Sequence, residues 1–141
     1  MEEEIRTYAA QDSRIRFFGF LPHEEAVQLQ KQATVLVNPR TNQGEYTKYS
    51  FPSKTMEYMA SATPVLTTRL PGMPKEYYPY VNFIDEETPA GIARALEVVF
   101  SRTKEDLDHQ GQTARDFVLK ERNNRVQAGK ILEMLKKTER S

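Results

Sequence analysis

The sequence predicts an α/β domain built on a parallel sheet with helices on both faces. Three observations carry that expectation. Two compact runs, Thr34–Asn38 and Pro64–Thr67, have the β-branched, continuously apolar character of strands buried on both sides. Stretches with apolar residues at helical spacing separate such runs. Proline and glycine punctuate the boundaries, as at Pro39, Pro52, Pro64 and Pro71-Gly72-Met73-Pro74. Short strands alternating with helices imply right-handed crossovers and a parallel sheet, here amounting to half of a doubly wound domain.

Taken in order, Glu2–Gln11 is a short helical stretch and Ile15-Arg16-Phe17-Phe18-Gly19 reads as a strand ended by glycine. Pro22 opens a helix to about Ala33, with Ala26, Leu29 and Ala33 on one face. Thr34–Asn38 is the next strand, stopped by Pro39, and the polar stretch Arg40–Ser50 is a loop. Pro52–Ser61 is helical, with Met56, Met59 and Ala60 turned inward. Pro64–Thr67 and Tyr80–Ile84 are two further strands. Thr88 then caps a helix with Pro89 in first position, and Ile92, Ala95, Leu96, Val99 and Phe100 form its apolar stripe. Thr103 and Asp106 form a capping box for a helix to about Lys120. Ala128, Ile131, Leu132 and Leu135 define a last one, rich in Lys and Arg, suited to rest on a partner domain or a membrane surface.

Composition excludes several classes of function. With 141 residues, the chain fits one core. Twenty Lys and Arg balance 20 Asp and Glu, so no global charge favours nucleic acid. Cysteine is absent, which rules out a disulfide scaffold and a thiolate metal site. No apolar run is long enough to span a bilayer, and the acidic start Met1-Glu2-Glu3-Glu4 is unlike a signal peptide. The sequence thus reads as a cytoplasmic protein.

Ligands of open α/β sheets bind beyond the carboxyl ends of the strands, where loops enter helices. The most distinctive such place follows Val37: the loop to Ser50 and the helix that Pro52 begins. A helix start offers free backbone N–H groups and a positive dipole end, both favourable to phosphate. Ser50 and Ser53 add hydroxyl donors and Lys54 a full positive charge. Ser53, Lys54 and Glu57 share one helical face, since they stand at i, i+1 and i+4. Glu57 lies roughly 7–8 Å along the axis from Pro52, so a diphosphate at the helix start brings an attached ribose near this carboxylate. Spacing alone equally admits an ordinary exposed Lys54–Glu57 ion pair.

Together these segments resemble the C-terminal domain of group 1 (family 4) glycosyltransferases. The likeness is carried by Arg16-Phe17-Phe18-Gly19-Phe20-Leu21, Val35-Leu36-Val37-Asn38-Pro39-Arg40, Ser50-Phe51-Pro52-Ser53-Lys54-Thr55-Met56-Glu57-Tyr58-Met59-Ala60 and Thr63-Pro64-Val65-Leu66. It runs from about Arg14 to Phe100 and is most specific from Phe51 to Ala60.

The resemblance implies a GT-B enzyme, with two Rossmann-like domains facing across a cleft, that transfers a hexose from a UDP- or GDP-sugar with retention and without metal or other cofactor. The acceptor is a glycan or lipid-linked sugar, as in polysaccharide synthesis, and the setting is cytoplasmic, peripheral at the inner membrane face. By position, Gly19, Phe20 and Leu21 match the loop beside the nucleotide base. Ser50, Phe51, Pro52, Ser53 and Lys54 match the turn at the donor diphosphate. Glu57 matches the second glutamate of the family's Glu-x7-Glu motif, which contacts the donor ribose.

The chain departs from the family pattern in two places. Tyr49 occupies the first glutamate's position and Glu45 is the nearest carboxylate, four residues earlier, so these two are the candidates for the donor sugar. The strand and glycine-rich turn that begin the family's domain do not precede Ile15. The expectation is therefore a single, N-terminally truncated domain over 1–141, inactive alone, prone to self-association along its open edge, and completed by an N-terminal domain of the same enzyme. Two alternatives stay open: a non-catalytic α/β interaction module, and a GT-B epimerase or phosphorylase.

Other signals are weaker. Asp106-Leu107-Asp108 has an Asp-x-Asp form, but positions i and i+2 of a helix diverge, so a solvated face is the better reading. Ser53-Lys54-Thr55 lacks the glycines of a P-loop. His23 and His109 have no partner in the sequence pattern and read as surface residues. Tyr77, Tyr78, Tyr80 and Phe83 read as packing residues.

Overall fold

The computed structural model describes residues 1–40 and 53–121 and the helical positions 129, 132, 133 and 135–137. In chain order the elements are α1 (Glu2–Gln11), α2 (His23–Gln32), β1 (Leu36–Asn38), α3 (Ser53–Ala60), β2 (Val65–Thr68), a 3-10 helix (Lys75–Tyr80), β3 (Asn82–Ile84), α4 (Pro89–Phe100) and α5 (Lys104–Glu121). Among the described residues the sheet has three strands in the order β1-β2-β3, all parallel. Leu36 pairs with Val65 and Asn38 with Thr67, while Leu66 pairs with Asn82 and Thr68 with Ile84. No described helix is long and apolar enough to cross a membrane.

Strand β2 is the centre, and all four of its residues are buried. Because side chains alternate along a strand, Val65 and Leu66 enter different cores. On one face Val65 packs with Met59 of α3, Ala114 and Val118 of α5, and Met73, Tyr77 and Val81. On the other Leu66 packs with Ile84 and Val99, with Ile92, Ala95 and Leu96 of α4 around them. Helices therefore cover both faces, as the sequence predicts. Each fully buried side chain of this kind stabilises the fold by about 1.5–3 kcal/mol.

The helix starts follow the capping rules. Thr88 Oγ1 accepts from Gly91 N at 3.0 Å, and Thr103 Oγ1 from Asp106 N at 3.1 Å. The buried threonines of β2 are also satisfied. Thr67 Oγ1 donates to the Asn38 carbonyl (3.2 Å), and Thr68 Oγ1 accepts from Arg40 N (2.9 Å), which fixes the chain leaving β1.

Four expectations need correction. Ile15–Gly19 is not a strand; it lacks regular pairing, and Ile15 and Phe18 are exposed. A strand needs a ladder, and among the described residues none flanks the outer side of β1 to supply one. Arginines cover two of the rings instead, Arg6 over Phe17 and Arg16 over Phe18. For the same reason β1 is shorter than Thr34–Asn38 and only half-buried, with Val37 exposed. Tyr80 and Val81 do not begin the last strand; Tyr80 ends the 3-10 helix around Pro79, stacked on Phe117 with ring centroids 4.3 Å apart. Phe100, at the end of the α4 stripe, is exposed. Of the last predicted helix, Leu132 and Leu135 are helical and exposed, while Ala128 and Ile131 lie outside the described residues.

Two backbone positions set how closely α5 can approach. Gly111 lies against the α3–β2 turn, and a Cβ there would overlap the Ala62 carbonyl. Ala62 itself has φ 62°, the left-handed conformation that usually ends a helix on glycine. Gly111→Ala gains about 1 kcal/mol of helix propensity. The backbone clash costs about 1–3 kcal/mol or more, so net destabilisation is expected in urea unfolding. Ala62→Gly should hold or raise stability, because it relieves about 1–2 kcal/mol of left-handed strain.

A second expectation concerns alkaline pH. Burial pushes the Tyr77 hydroxyl above the ordinary tyrosine range. Its folded form therefore resists ionisation that the unfolded chain undergoes near pH 10. The stability held by neutral Tyr77 is complete below that pH and is lost as pH rises through the higher folded value. Unfolding curves of Tyr77→Phe should fall less steeply above pH 10 than those of the natural protein.

Candidate functional site

Strand β1 leads out of the sheet at its carboxyl end, and α3 runs back to feed β2. The first turn of α3 therefore stands on the side of the sheet where open α/β folds bind ligands. Ser53 is its first residue, exposed, and Lys54 follows. One turn on, the Glu57 side chain is 30% exposed, enough for solvent or a ligand to reach it. The inner face is held by Met59 and by Thr55, both fully buried.

The Glu57 carboxylate has two partners. Lys54 Nζ lies 3.6 Å from Oε2, and Gln30 Nε2 donates to Oε1 at 2.7 Å. The ion pair is long and the lysine side chain is 55% exposed, so solvent screens it to a few tenths of a kcal/mol. The amide contact is short and Gln30 is only 8% exposed. The ordinary ion pair thus exists, but it is not what holds the carboxylate.

Gln30 was not evident from sequence. Its signal is a polar residue one turn after Ala26, on the inward stripe of α2, where the pattern calls for an apolar side chain. Three buried polar atoms are without hydrogen-bond partners among the described residues: Gln30 Oε1, Asn38 Nδ2 and Thr55 Oγ1. They belong to α2, the end of β1 and the first turn of α3, the elements that converge here.

Gly19, Phe20 and Leu21 take no part in the hydrogen bonds and ion pair around Glu57. Gly19 has φ 63°, Phe20 is fully exposed and Leu21 is half-buried. Leu21 lines a hollow of about 270 Å³ with Phe18, Glu25, Gln28 and Leu29, which shares no lining residue with the Glu57 cluster. The two places are joined through α2, whose start follows Leu21 and whose last turn carries Gln30. Glu45, Tyr49, Ser50, Phe51 and Pro52 lie outside the described residues.

A larger hollow, about 480 Å³, is lined by Lys31, Thr34, Pro64, Phe100, Arg102 and Lys104 among others. It opens at the amino ends of the strands, opposite the side that ligand geometry favours. Asp106 and Asp108 are exposed on α5, with Asp108 paired to Lys104 at 2.6 Å. No cluster of three metal-ligating side chains occurs among the described residues. His23 and His109 are exposed, and the tyrosines pack: Tyr77 edge-on to Phe117 at 5.1 Å and Tyr78 to Phe83 at 5.0 Å.

These contacts give different stability costs to neighbouring substitutions. Glu57→Ala leaves the buried Gln30 amide unpaired and should destabilise the fold by about 1–3 kcal/mol. Lys54→Met should change it by no more than a few tenths. Thermal melts of the two variants would check the contrast.

Comparison with known proteins adds a family. The model for the family described as glycosyl transferases group 1 matches residues 1–102. No curated protein and no solved structure matches the chain.

Proposed function

The chain belongs to the group 1 glycosyltransferases, and on that premise we propose that it forms the donor-binding, C-terminal half of a retaining GT-B enzyme. The observation that supports this best is Glu57: a carboxylate one turn inside α3, on the ligand side of the sheet, partly exposed and held by a short bond from Gln30. A carboxylate so placed accepts hydrogen bonds from two vicinal hydroxyls, as acidic residues do with ribose in dinucleotide sites.

On this reading the donor is a UDP- or GDP-hexose. Its diphosphate lies at the start of α3, against Ser50–Ser53 and the Lys54 ammonium, and its ribose reaches Glu57. Gly19, Phe20 and Leu21 flank the base, and Tyr49 or Glu45 meets the sugar. As the glycosidic bond breaks, negative charge builds on the leaving diphosphate. On this reading the helix N–H groups and Lys54 stabilise that charge without metal. The acceptor, a glycan or lipid-linked sugar, approaches from a facing N-terminal domain, and the setting is the cytoplasmic side of the membrane.

Calorimetric titration tests the two roles separately. Glu57→Ala should weaken UDP or GDP binding by about 1–3 kcal/mol, the worth of hydrogen bonds to a charged acceptor. Glu57→Gln keeps an acceptor for Gln30 and separates loss of binding from loss of stability. Unchanged affinity for both nucleotides would overturn the ribose contact. Lys54→Met should weaken binding of the diphosphates more than that of uridine or guanosine, because a point charge acts on phosphate. Equal losses would leave Lys54 a structural role only.

A further inference from the structure

A glutamate on an open helix face samples several rotamers, and a lysine partner that is itself solvated does little to fix it. Glu57 differs because a buried side chain from another helix holds one of its oxygens. Gln30 is anchored at its own backbone, where its carbonyl accepts from the buried Thr63 hydroxyl at 2.7 Å, just before β2 begins. Its amide then spans from α2 to α3 and donates to Glu57 Oε1 at 2.7 Å. The amide cannot be turned the other way, since that would set its oxygen against a carboxylate oxygen at the same distance.

We infer that Gln30 is a positioning residue for the donor site, which fixes the Glu57 carboxylate so that Oε2 and the free lone pair of Oε1 face an incoming ribose. This rests on the ribose contact proposed for Glu57.

Two features argue that the amide serves the carboxylate rather than the fold. Gln30 occupies a stripe position on α2 where an apolar side chain of similar size would fill the space. Its Oε1 is buried without a partner among the described residues, a standing cost that methionine or leucine would not carry. A residue kept only for packing would not need an amide at this position. Ordering the carboxylate before the nucleotide arrives removes the entropy of ordering it from the binding step, a gain of about three- to tenfold in affinity.

The test compares UDP with 2′,3′-dideoxy-UDP, and GDP with its dideoxy counterpart, by calorimetry, with thermal melts on every variant. The natural protein should prefer the nucleotides with ribose hydroxyls, and Glu57→Ala should abolish that preference. Gln30→Met should reduce it by about three- to tenfold while its melting temperature holds or rises. Gln30→Asn, which keeps an amide one methylene too short, provides a second variant and should lose the preference too. In the Glu57→Ala background Gln30→Met should change nothing further. Full preference retained by Gln30→Met and Gln30→Asn, with Glu57→Ala deficient, overturns the positioning role alone. Equal losses for both kinds of nucleotide would show a structural role and overturn it as well. A natural protein that binds neither, or does not distinguish them, overturns the donor-site reading and this inference with it.

Discussion

Burial of β2 on both faces is the constraint on which the rest of the structure depends. Val65, Leu66, Thr67 and Thr68 are each at most 2% exposed, so each must find a partner or a packed neighbour inside the protein. The two apolar members divide the core, one toward α3 and α5, the other toward α4. The two threonines turn their hydroxyls to backbone groups at the exit of β1. One short strand thereby sets the positions of the helices above and below it and of the chain end that leads toward the site. Loss of a packed residue here would be felt on both faces, because interiors are close-packed and relax only in part.

From that centre the site is built outward by polar contacts rather than by apolar packing. Thr63, immediately before Pro64 and β2, holds the carbonyl of Gln30. Gln30 in turn holds Glu57, and Glu57 lies three residues beyond Lys54 at the exposed start of α3. Two hydrogen bonds thus run from the residue that leads into β2 to the Glu57 carboxylate, and a long ion pair links that carboxylate to the exposed Lys54. Bonds in such low-dielectric surroundings are stronger than in water, and their unpaired members are costlier. Gln30 Oε1, Asn38 Nδ2 and Thr55 Oγ1, on the elements around α3, are buried without a hydrogen-bond partner among the described residues.

Much of this architecture is legible in the sequence. The start of α4, the Thr88 and Thr103 caps, and the central strand follow from local signals: a threonine that can accept from the first turn, a proline in first position, an apolar run between turns. Each of those signals acts within a few residues, and tertiary packing here agrees with it. The segment Ile15–Gly19 shows the opposite case. Its apolar, aromatic composition fits a pleated surface, but composition cannot provide the neighbouring ladder that makes a strand. The 3-10 helix at Lys75–Tyr80 was likewise hidden, since it is set by Tyr77 and Tyr80 closing on Phe117 of α5, some forty residues away in sequence.

By itself the sequence determined the parallel α/β class, the helix that carries Ser53, Lys54 and Glu57 on one face, and the family resemblance of the segment around them. Helical spacing and caps are properties of adjacent residues, so a reader of the chain can find them. Only the tertiary structure decided which partner governs Glu57. Lys54 is the neighbour that sequence spacing offers, three residues away; Gln30 is 27 residues away and arrives because the fold brings the last turn of α2 within hydrogen-bond reach of Glu57 on α3. The exposed cation is screened by water and the buried amide is not, and that difference in burial makes the distant residue the one that orients the carboxylate.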